Sequence, residues 1–249
     1  MTKFHFVFIF FIFLSFRGEA QLKQTTSETQ LWTAYLNQTR FTNRFGVWVD
    51  VHLRTKQDLV KDLSQGIARA GLTYYISDAV RATAGYAFIN AFPADGHKHI
   101  SQPEHRPWQQ IQWLTKYKKL RTAQTLRLEE RFRRKVLNDS TLGVGHSFNY
   151  RLRYNFLLQV PLTSKEVLTN EFSFILNNEV HINFGKQIVF NYFDQNRFFA
   201  GFAYHPNAHD NIQFGYSNVF QQLGSGNKYR SLHLARIFYF HNLDLRSRR

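Results

Sequence analysis

The stretch Phe148-Asn149-Tyr150-Arg151-Leu152-Arg153-Tyr154-Asn155-Phe156-Leu157-Leu158 decides the fold. Its even positions, from Phe148 to Leu158, are apolar or aromatic, while Asn149, Arg151, Arg153 and Asn155 lie between them. Successive side chains leave a strand on opposite faces, which a helix cannot reproduce, so the segment is a strand with one greasy and one charged face. Phe45–Arg54 repeats the pattern: Phe45, Val47, Val49, Val51 and Leu53 alternate with Trp48, Asp50, His52 and Arg54. Leu168–Phe184 holds one phase for 17 residues. That exceeds most strands of soluble sheets and suits a strand that crosses a membrane at a tilt.

Weaker alternation covers Glu28–Asn37, Gln65–Ile76, Val80–Asn90, Arg106–Tyr117, Thr122–Val136, Arg197–Tyr204, Asn211–Phe220 and Tyr229–Phe240, which brings the count to eleven. Single-chain bacterial barrels almost always have an even number. Twelve strands are therefore expected, with one missed or split near the N-terminus, and ten is the alternative. The links at Ser77-Asp78, Lys118-Lys119, Pro161-Leu162 and 205–210 are brief, whereas 91–103, 134–147, 184–194 and 221–228 read as long. Short turns at one end and long loops at the other are the habit of bacterial barrels. The expected fold is thus all-β: a single antiparallel up-and-down transmembrane β-barrel over residues 21–249. A soluble β-sandwich or lipocalin-like periplasmic barrel would also alternate. Against it, the faces opposite the apolar ones carry Arg and Glu in place of a dry core, the inversion that lipid as solvent demands.

The N-terminus agrees with export. Met1-Thr2-Lys3 precedes a greasy run from Phe4 to Phe16 and the small residues Gly18 and Ala20. A run of about 13 residues is too short for a spanning helix, which needs about 20, and fits a signal peptide over residues 1–20 with cleavage before Gln21. The absence of cysteine excludes disulfides and a lipid-modified N-terminal cysteine. The chain has 32 Lys plus Arg against 17 Asp plus Glu; without the signal this becomes 30 against 16, a formal +14. Such a charge attracts polyanions. For an exported chain the expected partners are outer-membrane lipids and lipopolysaccharide, with a small anion as a further one and no nucleic acid.

Several segments, in order along the chain, resemble the domain-of-unknown-function 2490 family, predicted outer-membrane barrels known mainly from Gram-negative Bacteroidota. They are Arg69-Ala70-Gly71-Leu72-Thr73-Tyr74, Gly85-Tyr86-Ala87-Phe88, Glu104-His105-Arg106-Pro107-Trp108-Gln109-Gln110, Arg127-Leu128-Glu129-Glu130-Arg131-Phe132, Arg151-Leu152-Arg153-Tyr154, Asn178-Glu179-Val180 and Phe193-Asp194-Gln195-Asn196-Arg197. The resemblance implies a barrel in the cell outer membrane and brings no activity with it; a monomer is expected.

On the faces assigned to the lumen, Arg69, Arg81, Arg127, Arg131, Arg133, Arg151, Arg153 and Arg197 converge with Asp50, Glu129, Glu171 and Glu179. Guanidinium forks fit carboxylates, so such residues form ladders across a narrow polar interior. Surplus Arg would bind an anion or make a basic pore. A second cluster, Glu104, His105, Arg106, Asp194 and Asn196, invites an enzyme reading, because lipid-modifying barrels use a His with a hydroxyl and an orienting group. No Ser stands at an interpretable spacing, so no catalytic residue is assigned. His97-Lys98-His99, two His separated by a Lys, is a weak metal signal and reads as a solvated loop; no metal or cofactor site is assigned. The aromatics Trp32, Trp48, Tyr74, Tyr86, Trp108, Tyr117, Tyr150, Tyr192 and Tyr204 sit near strand ends, where two interfacial girdles would place them.

Overall fold

The computed structural model describes residues 23–163 and 168–246. The signal peptide expected over residues 1–20, and residues 247–249 of the basic tail, lie outside them. Among the described residues there are eleven strands and no helix: β1 (Gln24–Arg40), β2 (Phe45–Lys56), β3 (Asp62–Tyr75), β4 (Val80–Ala91), β5 (Gln102–Tyr117), β6 (Leu120–Asn138), β7 (Thr141–Pro161), β8 (Glu171–Phe184), β9 (Phe193–His205), β10 (Asp210–Gln222) and β11 (Lys228–Asp244). Each pairs with its chain neighbours, and β11 returns to β1, closing one barrel.

The expectation of twelve strands is corrected here. Alternating directions around an odd ring must fail at one seam, and the seam is β1 against β11, which run parallel from Gln24 opposite Lys228 to Arg40 opposite Asp244. The other neighbours pair antiparallel, so no twelfth strand is needed to close the ring. The link expected over 134–147 is also corrected. β6 and β7 continue as a ribbon to a two-residue turn at Asp139-Ser140, with register shifts between Arg134 and Asn138 that break the alternation and hide the strands in the sequence. β8 begins at Glu171, so Leu168 belongs to the preceding link.

The links after β2, β4, β6, β8 and β10 gather at one end of the barrel with the start of β1, here the loop end. Those after β1, β3, β5, β7 and β9 gather at the opposite, turn end. At the turn end, Arg40 donates to the Asp78 carboxylate at 2.6 Å, which holds that carboxyl below its usual range and ties β1 to the β3–β4 turn.

Inside and outside are inverted relative to a soluble protein. Among the described residues, 24 polar or charged side chains are buried against 16 hydrophobic ones, so the interior is a polar lumen with apolar patches. The outward face carries large apolar side chains instead, among them Val49, Val51, Leu72, Leu152, Phe156, Phe198, Phe202 and Ile237. Trp32, Trp48 and Trp108 are corrections to the interfacial placement. Trp32 and Trp108 are buried inside, and the Trp48 indole donates to Asp50 at 2.5 Å.

The completely buried Trp108 has room because Gly71 and Gly85 face each other across β3 and β4 beneath it. A Cβ on Gly85 would lie 2.8 Å from the indole and 2.3 Å from the Ala70 carbonyl oxygen, so only glycine allows this approach. Gly201 and Gly215 make the same space beside Phe199.

Candidate functional site: the basic lumen

Alternation along β6 and β7 aims Arg127, Glu129, Arg131, Arg133, Arg151 and Arg153 inward. Glu129 is the hub. It accepts from Arg151 at 2.8 and 2.5 Å and from Arg153 at 2.6 Å, with Arg106 3.4 Å away. Arg153 also bridges to Glu179 at 2.5 Å, and His181 Nε2 lies 2.9 Å from the Glu179 carboxylate. Such buried charges persist only when paired, because each carboxylate would otherwise be stripped of water without compensation.

A register shift between β8 and β9 at His181/Ile182 extends the cluster. It leaves Asp194 and Gln195 both buried in the interior, and Asp194 takes the far side of Arg151 at 2.9 Å. Glu104 on β5 accepts from Arg106 at 2.7 Å and from Arg131 at 2.7 Å. A separate group on β2 and β3 joins Asp50 to Arg69 at 2.8 Å and to His52 at 2.9 Å.

Of the residues singled out in the sequence, Asp50, Arg69, Arg127, Glu129, Arg131, Arg133, Arg151, Arg153, Glu179 and Arg197 come together in the lumen. Arg81 points inward nearer the turn end and donates to Gln112 at 2.7 Å. Glu171 starts β8 opposite His205, at the turn end and apart from the cluster. The second cluster divides. Glu104, Arg106 and Asp194 join the luminal network, while His105 projects outward, hydrogen-bonded to the Tyr86 hydroxyl with its ring against Phe88 and His146. Asn196 shares the outward phase of its neighbour Phe198. Glu104 and His105 therefore face opposite sides of the sheet, and no hydrolytic triad assembles from them. Among the described residues, no three His, Cys, Asp or Glu side chains converge as metal ligands.

The network borders a cavity of 1320 Å³. Its lining includes residues from the loop-end links 57–61, 92–101, 185–192 and 223–227 and, among the described residues, none from the turn-end links. It is lined by eleven arginines. Sequence reasoning missed several of these, and they differ from the others in their partners. Arg54 donates to Gln65 at 2.8 Å, Arg236 to Gln213 at 3.0 Å and Arg230 to Gln221 at 2.9 Å. Arg127, which sequence reasoning did find, likewise donates to Gln110 at 2.9 and 2.6 Å. An amide oxygen orients a guanidinium without neutralising it, and of these four Arg127 and Arg230 have a carboxylate within 4.0 Å, Glu129 and Glu28. The signal available in the sequence was phase: Arg54 continues the Asp50–His52 face of β2, and Arg236 stands between Leu234 and Phe238 on the inward face of β11.

No curated protein and no solved structure matches the chain. The profile of DUF2490, described as a protein of unknown function, matches residues 29–230, a span that holds the glycine pairs, the Glu129 hub and the β9 register shift. On that match, which extends over most of its length, the chain belongs to the DUF2490 family.

Proposed function

We propose that the protein is a monomeric outer-membrane β-barrel whose lumen takes up an anion from the loop end. The observation that carries this reading is the cavity lined by eleven arginines, several of them held by amides instead of carboxylates. Surplus fixed positive charge in a walled, low-dielectric space favours anions. Because the described lining reaches the loop-end links and no described turn-end link, binding fits better than conduction, and at most a small, anion-preferring conductance is expected.

The outer surface supports the membrane half of the proposal. Its apolar band is bounded by two aromatic rings. One contains Tyr35, Tyr239, Phe45, Tyr74, Phe172 and Tyr204 toward the turn end; the other contains Phe148, Tyr150, Phe184, Phe220 and Tyr229 toward the loop end. Phe172 and Phe184, at the two ends of β8, are separated by 12 residues. At about 3.3 Å per residue and a tilt of roughly 40°, that spans about 30 Å, the thickness of a bilayer's hydrocarbon core. Closure of the ring leaves no free sheet edge for a second chain, which supports a monomer.

Two measurements test the halves separately. Fractionated cells should hold the protein in the outer membrane, with a band that shifts on boiling; recovery as a soluble periplasmic protein without a heat shift contradicts the location. Calorimetric titration of detergent-solubilised protein with inorganic phosphate should show saturable binding that weakens as salt rises. Absence of any binding at millimolar phosphate contradicts the anion reading.

A further inference from the structure

We propose that the ligand of this lumen is an organic anion with an aromatic or aliphatic body, its charged group held by Arg54, Arg197 and Arg236 and its body against Trp32, Phe199 and Phe238. The proposal rests on the anion reading above and adds the class of anion.

Several of the arginines held by glutamine are stacked on rings. Arg54 lies 3.7 Å from the centroid of Trp32, and Arg197 lies 5.2 Å from the centroid of the same indole. Arg236 lies 4.0 Å from Phe199 and 4.2 Å from Phe238. A ring covers the face of a guanidinium and leaves its in-plane N–H donors available, the arrangement that recognises a planar or tetrahedral oxyanion. The Nε donors of Arg54 and Arg236 are buried and have no hydrogen-bond partner, so each keeps a donor for which the protein supplies no acceptor. A buried unmatched donor is costly, so a side-chain shift that brings it to an oxyanion oxygen would be favoured.

Trp32, Phe199, Phe238, Leu36 and Leu232 all line the cavity beside these guanidiniums. Trp32, Leu36, Leu232 and Phe238 belong to one buried apolar cluster at the β1–β11 seam. Glu104, Glu129, Glu179 and Asp194 pair with other arginines on β5 to β9, and among the four only Glu179 approaches an arginine of the proposed subsite, lying 3.7 Å from Arg197. Cation and apolar surface thus coincide in one part of the lumen; Glu104, Glu129, Glu179 and Asp194 sit on β5 to β9, while Asp50, opposite Leu36, is taken up by Arg69 and His52, and Glu28 lies 4.0 Å from Arg230. A cavity of 1320 Å³ also exceeds the roughly 300–1,000 Å³ that ordinary ligand pockets provide, and is far larger than an inorganic ion fills.

The test compares three probes by calorimetry on the full-length mature protein in detergent, with micelle blanks subtracted: 1-naphthyl phosphate, inorganic phosphate and 1-naphthol. The proposal expects 1-naphthyl phosphate to bind about tenfold or more tightly than either of the others, because burying the rings adds to the charge contact. Arg54→Gln with Arg236→Gln should remove about tenfold of that affinity while the boiled-gel shift persists. If the double variant does not fold, Arg236→Lys keeps the charge, loses the planar fork and should still weaken 1-naphthyl phosphate. Equal affinity for the two phosphates would overturn this inference and leave the anion reading standing. Binding of 1-naphthol as tight as that of 1-naphthyl phosphate, unchanged in the arginine variants, would also overturn it. Failure of both phosphates to bind would overturn the anion reading itself.

Discussion

Glu129→Ala will destabilise the barrel by about 3–5 kcal/mol, the cost of removing one member of a buried charge cluster and leaving its partners uncompensated. Glu129 is 1% exposed and holds Arg151 and Arg153 by three hydrogen bonds of 2.5 to 2.8 Å, with Arg106 3.4 Å away. Truncation would leave the Arg151 Nε and Nη2 donors and Arg153 Nη1 without their acceptor. The neighbouring Glu130 points outward, so Glu130→Ala should change stability by no more than about 0.5 kcal/mol. Urea unfolding followed by tryptophan fluorescence reads both variants. Equal stability of Glu129→Ala and the wild type would mean that the hub does not hold the network together.

Leu152→Arg should cost about 1–2 kcal/mol, between the roughly 2–4 kcal/mol of a cation at the bilayer midplane and the roughly 0–1 kcal/mol of one at the interface, because Leu152 lies one outward position inside the Tyr150–Phe184 pair. Leu152 projects outward between Leu128 and Ile182, its register partners on β6 and β8. Arg153, one residue on, points inward to Glu129 and Glu179. Moving a guanidinium by one position therefore transfers it from a paired interior to an unpaired apolar surface. Refolding yield and urea midpoint in lipid vesicles measure the effect. A midpoint unchanged from wild type would mean that Leu152 does not contact lipid.

The strands were legible in the sequence because each face keeps one chemistry over many residues, as in Phe148–Leu158 within β7. What stayed hidden depended on partners distant in the chain. The parallel seam joins residues about 200 positions apart, such as Trp32 and Arg236, and no local pattern announces it. The glutamines that hold Arg54, Arg127 and Arg236 lie 11, 17 and 23 positions away, on neighbouring strands, so the surplus charge emerges only once the register is known. Asp194 reaches Arg151 because a register shift turns two consecutive side chains inward, which strict alternation forbids. Conversely, adjacency in sequence suggested a Glu104–His105 pairing that the pleat itself separates.

The most direct measurement of whether this chain spans a bilayer uses its lack of cysteine. Single cysteines placed at Leu126, Leu152, Val180 and Phe202, each carrying a nitroxide label in protein reconstituted into vesicles, report collisions with oxygen, which concentrates in lipid, and with a water-soluble nickel chelate. The account predicts that all four outward positions collide strongly with oxygen and weakly with nickel. Strong nickel collision at all four, with no preference for oxygen, would show the outward face bathed in water and contradict the membrane barrel.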